Sequence, residues 1–244
     1  MRIDTLALQM RPRAAHEAAD LGVRLCQQTA RSVYSCYLLV AVPIALIALS
    51  LFEVAPWLPI LVLWWSKPWL DRTVLFVLAR AAFGQSTTVG DLWREQRSVW
   101  WRQFIVTWTW RRLSPWRSFT QAVYQLEGLP FFQIRGRIVQ LRRRYSGAAF
   151  MMTKAFYWAE FGLAFALVSL LYWFAPPGED FKVMSLFSET STQMAQLAAS
   201  IAFAIVVLFL EPFYVAAGFG MYLNRRAELE AWDIEQEFRR AFAA

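Results

Sequence analysis

Side chains that carry out chemistry are scarce in this sequence. Its 244 residues contain 1 histidine, His16, and 2 cysteines, Cys26 and Cys36. A Ser-His-Asp triad or a histidine-based metal centre would have to use that single imidazole, which sits beside Glu17 in a stretch of helical spacing. The cysteines form no CxxC or zinc-like spacing and read as small apolar fillers near the cytoplasmic side, where thiols stay reduced. No GxxxxGK phosphate loop is present, and no serine or threonine lies in a nucleophile-elbow context. Gly84 and Gly90 flank a polar stretch, QSTTV, that reads as a plain loop. The expectation is a protein that is not an enzyme and holds no metal and no cofactor. Charge is also thin. Only 18% of residues are charged, against roughly one quarter in a soluble domain. The first 32 residues carry charges throughout, which argues against a cleaved signal peptide.

What fills the chain instead is apolar and aromatic: 58% hydrophobic and 17% aromatic residues. The hydrophobic residues are clumped. Residues 33–52, VYSCYLLVAVPIALIALSLF, contain no charge, and about twenty apolar residues in a helix rise ~30 Å, the thickness of a bilayer's hydrocarbon core. The pattern predicts an all-α fold, a polytopic membrane helix bundle of about four spans with amphipathic cytoplasmic helices. Residues 1–32 read as a cytoplasmic amphipathic segment, with Ala18, Leu21, Gly22, Leu25, Cys26 and Thr29 on one helical face, suited to the inner membrane surface. Residues 33–70 read as a tight transmembrane hairpin or a re-entrant return, broken at Pro56 and Pro59, with Lys67 snorkelling to the interface. The brief apolar segment from Arg72 to Gly84 falls at the interface or against that hairpin. Residues 148–223 hold two further spans, about 150–174 and 195–223, joined by a periplasmic loop poor in lysine and arginine. Residues 224–244 form a charged cytoplasmic helical tail, with Ala227, Ala231, Ile234, Phe238 and Ala241 along one face.

The formal net charge is +7. On a soluble chain such a balance would suggest nucleic acid. Here the basic residues lie between apolar runs, and positive-inside topology accounts for them without nucleic acid. Both termini and the basic region 71–147 are therefore expected in the cytoplasm of a bacterium, with the spans in its inner membrane. Within that region VWWRQFIVTWTWRRLSPW, residues 99–116, followed by Arg117, interleaves five tryptophans with four arginines. Indoles favour the headgroup level and guanidinium groups meet anionic lipid phosphate there. Trp100, Trp101, Trp108, Trp110, Arg111, Arg112 and Arg117 are accordingly the candidates for contact with the anionic inner leaflet.

Two carboxylates interrupt the later spans: Glu160, and Glu211 followed by Pro212. Each lies about twelve residues from the cytoplasmic end of its span, a shared depth of ~18 Å. An ionisable group at such depth faces protein or water rather than lipid. It is either a structural hydrogen bond or ion pair, or a proton or cation site. Lys154, Tyr157 and Tyr214 are the partners within reach in sequence, and Pro212 marks a candidate hinge. Small residues spaced by four, Gly162 with Ala166, Ala198 with Ala202 and Ala216 with Gly220, suit close helix approach.

Several blocks resemble a family of uncharacterised proteobacterial multi-spanning transmembrane proteins. They are RPRAAHEAADLG at 11–22, LWWSKPWLDR at 63–72, TWRRLSPWRS at 109–118, QLEGL at 125–129 and EPFYVAAGFGMYLNRRAELEAWDIEQEFRR at 211–240. PFFQIRGR after QLEGL departs from that family's basic continuation. Genes of the family lie near those for MoxR-type ATPases or transglutaminase-like membrane proteins, so the resemblance implies a place in an inner-membrane assembly. The leading expectation is a non-enzymatic membrane component that organises membrane-protein partners. The alternative is a small transporter or channel using Glu160 and Glu211.

Overall fold

The computed structural model describes residues 13–101, 104–109, 113–173 and 193–230, and these are mostly helical, with no strand among them. The order is α1 (Ala15–Gln28), α2 (Ala30–Ser50), α3 (Leu58–Ala82), α4 (Val89–Arg94), α5 (Phe104–Trp108), α6 (Arg117–Leu126), α7 (Phe131–Trp173) and α8 (Gln193–Glu230). A 3-10 turn, Leu51–Glu53, follows α2, and a π-helical turn, Arg97–Trp101, follows α4. Two helices are long and apolar enough to cross a membrane: Ala30–Glu53, whose 18-residue apolar stretch has mean hydropathy 2.4, and Gln193–Glu230, whose corresponding stretch has mean hydropathy 2.1. The acidic loop from residue 176 and the tail positions Ala231, Ile234, Phe238 and Ala241 lie outside the described residues.

The chain divides into two compact units. One comprises 38–67 and 154–211 and is called the apolar unit; the other comprises 1–37, 68–153 and 212–244 and is called the polar unit. The apolar unit contains a helix–turn–helix: α2 ends in the 3-10 turn, and Pro59 sits in the first turn of α3, where its missing N–H has no intrahelical partner to lose. Ala45 and Ala48 of α2 meet Leu63 of α3 and Ala204 of α8, with Leu49, Val62, Phe203 and Leu208 packed around them. Small side chains on α2 and α8 let these backbones approach closely.

In the polar unit, the small-residue stripe of α1 packs onto α8. Ala18, Gly22, Leu25 and Cys26 are its buried face. A Cβ added at Gly22 would lie 2.0 Å from the Ala216 carbonyl oxygen, and one at Gly220 would lie 2.2 Å from that of Ala18. The expected face is therefore present, but it is spent on α8 rather than laid on a membrane surface. The pair Ala216 and Gly220 does serve close approach; Gly162, by contrast, has nothing within 4 Å of an added Cβ. On α6, Ser118 packs so tightly against Gly218 that an added Cβ there would come within 2.4 Å of its hydroxyl. Gly128, with φ 63°, ends the α6 segment in the left-handed region that glycine adopts without strain.

Helix α3 corrects the expected boundary near residue 70. It continues as one helix of 25 residues through Asp71 and Arg72, which read in sequence as the charged end of a span. Both are buried, and each has a partner on another element: Arg117 for Asp71, and the backbone of the π-helical turn for Arg72. The stretch QSTTV is also more than a loop. Thr88 caps α4 and closes a capping box with Asp91, while Gly90 lies inside that helix.

Candidate functional site

The apolar unit contains a buried ionic triad. Lys67 on α3 projects its ammonium onto Glu160 of α7 and onto Glu211 of α8, the latter at 2.9 Å. Lys67 is 2% exposed. The ring of Tyr157 lies 5.9 Å from its nitrogen and that of Phe203 5.7 Å, so aromatic faces complete the surroundings of the cation. An ammonium offers three donors, and two carboxylates and two ring faces provide the attraction that offsets removal from water.

Sequence reasoning placed Glu160 and Glu211 at one depth, and the structure brings both to one cation. It assigned that cation differently. Lys154 is exposed, and Lys67 pairs with both carboxylates. The expectation that Lys67 snorkels is corrected: snorkelling serves a lysine that lacks an internal anion, and here two are in reach. Tyr157 contributes its ring. Tyr214 belongs to the polar unit, where its hydroxyl meets Thr153 at 3.3 Å and its ring lies under Arg117 at 5.1 Å.

The interface candidates separate in the same way. Trp101 and Trp108 are exposed, at 63% and 41%. Trp100 and Arg117 are buried. The Trp100 indole N–H donates to the Thr73 hydroxyl at 3.0 Å, and its ring packs against Trp69 and Trp93. Arg117 pairs with Asp71 at 2.9 Å. These two candidates are corrected to internal positions, because a guanidinium or indole with a buried partner gains more from it than from the surface. Trp110, Arg111 and Arg112 lie outside the described residues.

Residues the sequence reading passed over hold the polar unit together. Arg72 donates from Nε to the Val99 carbonyl, from Nη1 to the Thr107 hydroxyl at 3.0 Å and from Nη2 to the Ser98 carbonyl at 3.4 Å. A π turn misaligns the normal backbone ladder, and this arginine occupies carbonyls within it. Elsewhere Glu127 accepts from Arg137 at 2.9 Å and from the Tyr222 hydroxyl at 2.9 Å. Tyr145 donates to Glu228 at 2.5 Å, and Asn224 donates to Tyr145 at 2.6 Å. Burial, reinforced by the Glu228 carboxylate, pushes the Tyr145 phenol up to about 12. Burial alone pushes the Cys26 thiol up to about 12, which keeps it a protonated, unreactive side chain at neutral pH.

Among the described residues, no group of three His, Cys, Asp or Glu side chains is placed to hold a metal ion. Comparison with protein-family models, with curated proteins and with solved structures finds no match for this chain.

Proposed function

We propose that the protein is a multi-spanning component of a bacterial inner membrane that organises partner proteins and performs no catalysis of its own. The observation that carries the membrane assignment is the inside-out polarity of the apolar unit. Most of the exposed large hydrophobic side chains among the described residues belong to it, including Leu46, Ile47, Trp158, Phe161, Ile205 and Phe209. Its buried charges, Lys67, Glu160 and Glu211, meet one another, one ammonium held between two carboxylates. A soluble unit would pay heavily for that surface; in lipid it is the low-energy arrangement. On this reading about four helical segments cross, drawn from α2, α3, α7 and α8. The basic polar unit and both termini face the cytoplasm, as arginine distribution favours. The triad then acts as a clamp that joins three helices where no water is available to solvate an unpaired ion.

The organising role rests on the remaining composition. The polar unit holds networks of charged and polar side chains such as Glu127–Arg137 and Asn224–Tyr145–Glu228, and surfaces fixed in this way suit the docking of partners. Affinity purification of the full chain in mild detergent, followed by mass spectrometry, tests this role. Stoichiometric membrane-protein or ATPase partners support it; a lone oligomer contradicts it. A second reading, a small transporter or channel, is favoured by one observation: two carboxylates converge on one ammonium within the apolar unit. Proton or cation passage through purified protein in vesicles would support that reading over the first.

A further inference from the structure

We propose that a pocket beside the π-helical turn binds the phosphate of an anionic phospholipid headgroup, an inference that rests on the membrane reading above. The cavity, about 570 Å³, lies within the polar unit and is lined by Arg94, Gln96, Arg97 and Trp101. All four side chains carry N–H donors, and none is a carboxylate. The buried arginines of this unit end on partners: Arg72 on carbonyls, Arg117 on Asp71, Arg225 on Glu228. Arg94 and Arg97 are exposed and take part in no ion pair among the described residues. Of the neighbouring carboxylates, Asp91 accepts from the Thr88 backbone at 3.0 Å, and this bond, the Thr88 hydroxyl and the charges of Arg80 and Arg94 hold its carboxyl below the usual range; Glu95 accepts from the Ser98 hydroxyl at 3.1 Å.

The rim is fixed from behind. Arg72 holds the Ser98 and Val99 carbonyls, and Trp100 is tied to Thr73, so the turn that carries Arg97 and Trp101 is anchored on its buried side. A site with its donors already placed loses less entropy on binding. Two guanidinium groups suit the oxygens of a phosphate, which each can engage through paired N–H groups. Free phosphate offers the same oxygens. The exposed indoles of Trp93 and Trp101, 63% each, favour the lipid, because such rings settle at the headgroup level with acyl chains beside them.

The test uses the full chain purified in mild detergent, with native mass spectrometry to follow retention of added phosphatidylglycerol against phosphatidylcholine. Wild type is expected to retain phosphatidylglycerol preferentially. The double variant Arg94→Gln/Arg97→Gln should weaken that retention by about 30-fold, the product of two basic residues near an anionic headgroup, without lowering the melting temperature. Arg135→Gln, an exposed arginine outside the pocket lining, should leave it unchanged. Equal retention of both lipids by wild type, or unchanged retention by the double variant, overturns the proposal. Displacement of the lipid by millimolar inorganic phosphate at constant ionic strength overturns the lipid assignment in favour of a free anion. Recovery of the wild-type protein in the soluble fraction after alkaline extraction overturns the membrane reading itself; a protein that stays in the membrane but shows no lipid preference overturns only the pocket.

Discussion

Lys67 and Glu211 meet at 2.9 Å, and each immediately precedes a proline inside its helix, Pro68 in α3 and Pro212 in α8. The same ammonium holds Glu160 of α7. Removing one member of a buried ion pair strands the other, at a cost of about 3–5 kcal/mol. Lys67→Met should therefore be the most destabilising single change in the triad, because it leaves two carboxylates facing each other. Glu211→Gln keeps an acceptor of similar shape and should retain most stability, whereas Glu211→Leu removes the acceptor altogether and should melt lower. Melting temperature in detergent is measured together with recovery of bound partners. If Glu211→Gln melts like wild type but abolishes function, the clamp is the wrong role and the ion-carrying alternative replaces it.

The crossing of α1 over α8 leaves no room for a methyl group at Gly22 or Gly220. Gly22→Ala and Gly220→Ala should each destabilise by about 1–3 kcal/mol or more, the usual range for overpacking, because the clash is with backbone that cannot rotate away. Gly162→Ala meets nothing within 4 Å and should be neutral or gain up to ~1 kcal/mol from helix propensity. Thermal melts of the three variants side by side check the crossing. Equal melting of Gly22→Ala and Gly162→Ala would show that α1 does not pack there.

Both cysteines are fully buried. The Cys26 thiol is raised from 9.0 to about 12 by burial, so the folded protein should carry almost no thiolate there at pH 8. Because the folded value lies above the unfolded one, this group favours the folded state fully below pH 9.0, and the contribution is lost as pH rises toward about 12. Alkylation at pH 8 should be slow in detergent and fast once the chain is unfolded in dodecyl sulfate, read by mass shift. Rapid labelling of Cys26 in the folded protein would contradict its place on the buried face of α1.

How far the sequence revealed this arrangement depends on the kind of signal. The α1 stripe was legible because Ala18, Gly22, Leu25 and Cys26 repeat at helical spacing, yet spacing does not say whether lipid or α8 covers the face. Glu160 and Glu211 stood out because a charge inside an apolar run is costly. Lys67 did not, because it sits at the edge of a run and beside Pro68, where a snorkelling side chain and a helix end are both ordinary. Asp71 and Arg72 looked like that end for the same reason; only their contacts with Arg117 and the Val99 carbonyl show why α3 continues. The tryptophan-arginine segment misled in part because composition carries no phase. Neighbouring Trp100 and Trp101 fall on opposite sides, one bonded to Thr73 and one exposed.

An anionic-lipid site also has a consequence for salt. Arg94 and Arg97 are exposed, so their attraction to a headgroup is screened over about 8–10 Å at physiological ionic strength. Retention of phosphatidylglycerol by the wild type should fall as salt rises from low to physiological levels, while phosphatidylcholine retention stays flat. A salt-independent preference would contradict an electrostatic pocket.

The most direct test of the membrane account is the side from which two exposed positions can be labelled. In a background with Cys26 and Cys36 replaced by alanine, single cysteines are placed at Trp57, in the turn between α2 and α3, and at Gln133, near the start of α7. A membrane-impermeant maleimide is then applied to intact cells with a permeable outer membrane. The account predicts labelling at position 57 in intact cells and at position 133 only after the inner membrane is opened. Labelling at position 133 in intact cells, or protection of both positions until lysis, would contradict it.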